Sequence, residues 1–212
     1  MSRWLLRVDW EEPTQALAMA EALALGARPG PAPGLVWADA PPEAGRAAFV
    51  LTGGEVVAEG PPGGPLSPAL PDVDLVQVPR GPWKLEGSPL EHLARLGWRA
   101  RYLPPNAPGP AHALYPTGAG WWLVRTPGSL RWSEPALVRR TSTSLPSRLA
   151  RAVVNLVARP GERVLDPVCG TGVLLVEAAR LGCPATGGDT SAKAAAWARQ
   201  NLRALGLPPT VE

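Results

Sequence analysis

The residue types best placed to do chemistry in this chain lie between Arg163 and Asp189. The run Arg163-Val164-Leu165-Asp166-Pro167-Val168-Cys169-Gly170-Thr171-Gly172 reads as a short β-branched strand that breaks into a glycine turn, and Val173 to Leu181 then reads as a helix. Gly170 and Gly172 can take positive φ and let the backbone approach a ligand closely, while the free N–H groups of a helix start favour an anionic group such as a carboxylate. A second strand-like piece, Ala185 to Gly188, ends in Asp189, 23 positions after Asp166. That interval is close to the roughly 20 residues at which a dinucleotide fold sets an acid against ribose hydroxyls. A G-x-G alone is as readily a packing turn between strand and helix, so the weight falls on the whole set of strand, loop, helix and second acid.

Read residue by residue, Asp166-Pro167-Val168-Cys169-Gly170-Thr171-Gly172, with Glu177 five positions on, differs from the dinucleotide fingerprint. It resembles the first motif of S-adenosylmethionine-dependent methyltransferases, in the form used by those that methylate exocyclic amines of nucleic-acid bases. Upstream, Ser144-Leu145-Pro146-Ser147-Arg148-Leu149-Ala150-Arg151-Ala152-Val153-Val154-Asn155-Leu156 resembles the approach helix of the THUMP-associated tRNA (guanine-N2) methyltransferases. The resemblance covers about residues 140 to 205, and Asn201 matches the Asn of the family's A-x-x-N-L pattern.

The resemblance implies S-adenosylmethionine as cofactor and assigns it residues. Gly170, Thr171 and Gly172, with Cys169 in the same turn, would hold the methionine moiety, Asp166 would accept from its ammonium, and Asp189 would accept from both ribose hydroxyls. Ser144 would lie over the pocket, and Glu177 would anchor neighbouring backbone rather than touch ligand.

Composition fits this partner chemistry. Of 212 residues, 45% are hydrophobic and 18% charged, no run approaches the length of a membrane span, and the start has no signal-peptide pattern, so a cytoplasmic location is expected. The charge is uneven: residues 1–135 carry 11 Lys+Arg against 13 Asp+Glu, and residues 136–212 carry 10 against 5. The basic part is the cofactor part, which suits tRNA or another structured RNA, with Arg139, Arg140, Arg148 and Arg151 as candidate phosphate contacts. Solvated arginines on helix faces would give the same count. Two cysteines make no disulfide framework and have no metal-ligand companions, so Cys169 and Cys183 are expected to pack as small buried residues.

The elements that must position these residues can be read in order. Trp4 to Trp10 reads as a strand, Pro13 to Leu25 as a helix, Gly34 to Ala38 as a strand, and Ala47–Thr52 with Glu55–Ala58 as a hairpin turning at Gly53-Gly54. This suggests a ferredoxin-like α+β region over 1–60. The Pro/Gly run at 60–65 reads as a linker to a second region, 61–135, with strands at 73–78, 98–103 and 121–125 and a helix opened by the capping box Ser88-Pro89-Leu90-Glu91. In the family this would be a reduced THUMP-like or adaptor region. Eight of the nine tryptophans precede residue 133, and those beside arginines, as in Trp98-Arg99-Ala100-Arg101-Tyr102, suit either base stacking or a buried sheet face. In 136–212, the helix from Ser147 is expected to bury Leu149, Ala152, Val153, Leu156 and Val157, leaving Arg148, Arg151 and Asn155 outside. Asp189-Thr190-Ser191 opens a last helix with Trp197, Ala198, Leu202 and Leu205 inward.

The expected fold is α/β: a partial Rossmann-like methyltransferase domain preceded by an α+β region. The expected function is S-adenosylmethionine-dependent RNA methylation, of the tRNA guanine-N2 type. The Asp/Asn-Pro-Pro-aromatic tetrad of amino methyltransferases is absent; Pro104-Pro105 and Pro208-Pro209 lack the flanking acid or amide and the aromatic. No catalytic residue is therefore assigned. The alternative is a non-catalytic RNA- or cofactor-binding subunit, with a second polypeptide or self-association completing the sheet.

Overall fold

The computed structural model describes residues 3–41, 43–62, 64, 75–79, 89–95, 98–103, 112–128, 130–208 and 210–211. The capping-box Ser88 lies outside them. The chain divides into two compact units, one of residues 1–45 and 49–131, the other of residues 46–48 and 132–212.

The first unit is built on one sheet. Its elements are β1 (Trp4–Val8), α1 (Gln15–Ala24), β2 (Arg28–Pro29), β3 (Leu35–Ala38), β4 (Val50–Gly60), β5 (Leu75–Pro79), α2 (Pro89–Arg95), β6 (Arg99–Leu103), β7 (His112–Thr117) and β8 (Gly120–Arg125). The strand order is β2-β3-β1-β4-β8-β7-β5-β6. β5 runs parallel to β6 and β7, and the other pairings are antiparallel. The expected hairpin at Gly53-Gly54 is not formed: both glycines lie inside β4. They are there because neighbouring strands press on them. A Cβ at Gly53 would stand 2.5 Å from the Leu5 carbonyl oxygen, and one at Gly54 would stand 2.1 Å from that of Arg125. Small residues at closely approached strand positions imitate a turn signal. Because β4 pairs with β8, residues 1–60 and 61–135 share one sheet, where the sequence suggested two regions.

The second unit contains α3 (Ser147–Val157), β9 (Val164–Asp166), α4 (Val173–Arg180), β10 (Ala185–Gly187) and α5 (Ala192–Ala204). β9 and β10 pair in parallel, with Asp166 opposite Gly187. One face of this pair is covered: Val164 and Ala185 pack against Val154, Ala158, Ala178, Leu181 and Cys183. On the other side Leu165 is 71% exposed, and Val168 just beyond the strand is 76% exposed. Parallel strands are normally covered on both faces.

Helix α3 is turned from the orientation expected, although Ala152 is buried as expected and Leu149 and Val153 are half-buried. It buries Ser147, Ala150, Arg151, Ala152, Val154 and Asn155, while Leu156 is exposed and Val157 is 70% exposed. The apolar stripe loses to polar groups with specific partners. Arg151 Nε lies 3.0 Å from Oε2 of the fully buried Glu177, whose Oε1 accepts from Arg180 at 2.8 Å and whose Oε2 accepts from Trp132 Nε1 at 3.3 Å. Asn155 donates to the Arg46 carbonyl at 3.0 Å, and Arg148 Nε donates to that of Ala48 at 3.0 Å. Burial pushes the Glu177 carboxyl above its usual range, while the two guanidiniums pull it back.

Removing one member of a buried pair leaves an uncompensated charge, at a typical cost of about 3–5 kcal/mol, whereas replacing both by apolar residues is often neutral. Arg151→Met is therefore expected to destabilise the protein by about 3 kcal/mol. Arg151→Met with Glu177→Leu is expected to recover most of that loss, as read by urea unfolding. A single variant with wild-type stability would show that the pair is not what holds α3 in this orientation.

Candidate functional site

The site is assembled where β9 and β10 end. The ladder is extended past the strands by Gly188 N–H donating to the Asp166 carbonyl at 3.0 Å and Cys169 N–H donating to the Gly188 carbonyl at 2.8 Å. The turn then reverses, with Gly172 N–H donating to the Cys169 carbonyl at 2.7 Å. Gly170 and Gly172 have φ of +54° and +78°, values that strain any side chain. At Gly172 space is also decisive, since a Cβ would lie 2.8 Å from the Ala198 Cβ. The loop is thereby seated directly on α5.

Asp189 braces the turn. One carboxylate oxygen accepts from Gly170 N–H at 2.9 Å and the other from Ser191 N–H at 2.8 Å. Asp166 accepts from Val168 N–H at 3.3 Å. Burial raises the Asp166 pKa, and the nearby Asp189 charge adds to the rise while the Val168 bond opposes it. Burial also raises the Cys169 thiol pKa, helped by the Asp166 and Asp189 charges, so the sulfur stays protonated and unreactive.

A cavity of about 560 Å³ opens over this loop. Asp166, Cys169, Gly170, Thr171 and Ser144 all line it, so five of the residues singled out in the sequence converge on one space. Gly172 and Asp189 stand just outside this lining, and Asp189 bonds two residues within it, Gly170 and Ser191. Helix α3 starts after Pro146 without a side-chain cap, which leaves Ser144 to other partners. The Ser144 hydroxyl instead meets Thr171 Oγ1 at 2.9 Å and accepts from Thr141 N–H at 2.9 Å.

Sequence reading missed the far wall. Lys193 and Trp197 line the cavity, with the Lys193 ammonium 4.7 Å from the indole centroid. Their i, i+4 spacing on α5 was a usable signal. Trp132, one of the tryptophans beside an arginine that suited base stacking or burial, instead donates to a carboxylate 45 residues away.

The four candidate phosphate-contacting arginines separate. Arg139 and Arg140 are exposed; Arg139 Nε donates to Gln200 at 2.7 Å, and Arg140 to Glu134 at 2.9 Å and Ser147 at 3.0 Å. Arg148 is half-buried, with its Nε engaged. Arg151 is corrected: buried against Glu177, it cannot reach a phosphate. Among the described residues there is no cluster of three or more metal-ligating side chains, and no helix is long and apolar enough to cross a membrane.

Residues 138–212 match UPF0020, the RMKL-like methyltransferase domain. Over 65 residues the chain is 40% identical to the tRNA (guanine(10)-N2)-dimethyltransferase of Methanothermobacter thermautotrophicus, covering 30% of this chain and 19% of that protein. Over 109 residues it is 31% identical to the 23S rRNA (uracil(1939)-C(5))-methyltransferase RlmD of Aromatoleum aromaticum, covering 50% and 25%. A crystal structure of TrmN from Thermus thermophilus aligns with 97% of this chain and 70% of its own, at 23% identity and a TM-score of 0.47. The chain thus spans about a fifth of the length of the first of these relatives. Residues 138–212 are thus similar to the RMKL-like methyltransferase domain and, in sequence, to the tRNA (guanine-N2) dimethyltransferases.

Proposed function

We propose that this protein binds S-adenosylmethionine at the Asp166–Thr171 loop and takes part in methylating RNA, with a tRNA guanine amine as the substrate class. The observation that carries this reading is the convergence of Ser144, Asp166, Gly170 and Thr171 on one cavity within the segment that matches a methyltransferase domain. S-adenosylmethionine is the cofactor that such a domain implies, and it supplies an activated methyl group. The residues present fit it. Asp166 is a carboxyl whose ionised form is disfavoured by burial and by a second carboxylate, so a ligand ammonium stabilises it. Asp189 has committed one bond per oxygen, and each oxygen keeps capacity for a hydroxyl donor.

RNA would approach over the basic segment that contains Arg139 and Arg140. Docking by the ferredoxin-like and THUMP-like region would be served by Arg99, Arg101 and Tyr102, exposed on β6 at the edge of the large sheet. A cytoplasmic location accords with such a substrate. A second reading, a cofactor- or RNA-binding subunit completed by another polypeptide or a second copy, is favoured by a different observation. Among the described residues β9 pairs with β10 alone, and Leu165 and Val168 on and just beyond it are exposed. Unpaired edges and bare apolar faces invite partners.

Calorimetric titration tests the cofactor assignment. Asp189→Ala is expected to weaken S-adenosylmethionine binding by about a hundredfold or more, since each charge-assisted hydrogen bond is worth about 1.5–3 kcal/mol. Undiminished binding by that variant would sink the ribose role. The pH dependence has a definite sign. A cationic ligand favours ionised Asp166, so affinity is retained at high pH and falls as pH drops through the raised Asp166 pKa. The loss should approach tenfold per pH unit and begin above the titration range of an ordinary aspartate, near about 3.9.

For RNA, gel shifts with tRNA at several salt concentrations are expected to show affinity falling steeply with ionic strength. Arg139→Ala and Arg140→Ala should each reduce the logarithmic salt slope by about 1. Salt-independent binding would count against phosphate contact by this segment. Light scattering together with transfer of tritiated methyl to tRNA separates the two readings: a monomer that turns over supports the first, and an inactive or self-associated chain supports the second.

A further inference from the structure

We propose that Asn201 is a positioning residue that ties the segment 139–144 to the cofactor loop, so that the two act as one body; this rests on the cofactor site assigned above. Asn201 lies on α5, fully buried, and uses its amide three times. Its Oδ1 accepts from Arg139 N–H at 2.8 Å, and its Nδ2 donates to the Arg139 carbonyl at 2.8 Å and to the Thr171 carbonyl at 2.8 Å. The first two bonds grip one residue by both of its backbone groups, as a neighbouring strand would. The third holds the middle residue of Gly170-Thr171-Gly172.

Thr171 is gripped a second time, through its side chain, by Ser144. Arg139 and Ser144 therefore meet the same loop residue, one through Asn201 and one directly. The Ser144 hydroxyl also receives Thr141 N–H, which closes the segment into a turn. α5 has no freedom to shift beneath the loop, because Ala198 fills the space where a Cβ on Gly172 would lie. A buried amide with both donors and its acceptor engaged has one orientation that satisfies it, and any movement of Arg139 or Thr171 leaves a polar group unpaired. The arrangement makes the basic approach segment and the cofactor loop interdependent: ordering one orders the other, which is linkage between two sites through a shared contact.

The test is backbone amide exchange of the full chain, free and saturated with S-adenosylhomocysteine, for wild type and Asn201→Ala. Without ligand, the variant is expected to exchange at least tenfold faster at Arg139 and through Gly170–Gly172. With ligand, wild type should gain protection both at Gly170–Gly172 and at 139–144, and the variant should gain it at the loop alone. A variant that folds and shows wild-type exchange at the loop without ligand overturns the clamp, and equal ligand-induced protection at 139–144 overturns the coupling. If wild type binds no ligand, the cofactor assignment fails while the ligand-free comparison still decides the clamp. Should Asn201→Ala not fold, Ser144→Ala cuts the other tie. Ligand-induced protection at Thr141 and Ser144 should then fall while the Arg139 amide stays protected, and an unchanged pattern would again overturn the coupling.

Discussion

A buried carboxylate organises the second unit. Glu177 has no exposed surface, and it is compensated by Arg151 from α3, Arg180 one turn along α4 and the Trp132 indole. Arg180 also donates to the Ser133 carbonyl at 3.0 Å, so the same network fixes the entry of the chain into the unit. A charge in that position is tolerated only when fully paired, which makes the geometry of α3 against α4 a condition of folding rather than a preference. With α3 and α4 locked, the loop between β9 and α4 has one place to go, and Ser144 at the approach to α3 comes to rest against Thr171.

The site above this network is made of neutral and acidic groups arranged by backbone bonds. Hydroxyls of Thr141, Thr143, Ser144 and Thr171 form a chain of contacts of 2.9–3.1 Å along one side. Two carboxylates occupy the strand ends, and the cation on the opposite wall, Lys193, rests on Trp197. Such a cavity favours a ligand that carries its own positive charge and several hydroxyls. The loop glycines contribute shape more than contacts, since the Gly170 N–H is already taken by Asp189 and Gly172 is pressed against α5.

The face of α3 shows how a local pattern can be overruled. Burying Leu156 and Val157 would gain about 1.5–3 kcal/mol each by transfer alone. The observed orientation instead pairs a buried carboxylate and supplies donors to two main-chain carbonyls.

The sequence by itself determined the local chemistry. Positive φ at Gly170 and Gly172, an acid at the end of each strand, and a hydroxyl segment before α3 are properties of residue type and spacing, and they were legible because each needs only neighbours within a few positions. The same holds for most strands and helices. What only the tertiary structure decided was partnership across distance. Gly53 and Gly54 imitate a turn and serve close strand packing, because the strands that crowd them come from 48 and 71 residues away, Leu5 against Gly53 and Arg125 against Gly54. Arg151 carries the type and spacing of a phosphate contact but is an interior counter-ion, since its partner lies on another helix. Asn201 falls within a recognisable pattern, yet its three bonds reach residues 62 and 30 positions away. Hydrogen bonds and ion pairs between distant residues leave no period in a sequence, and that is why these assignments required the fold.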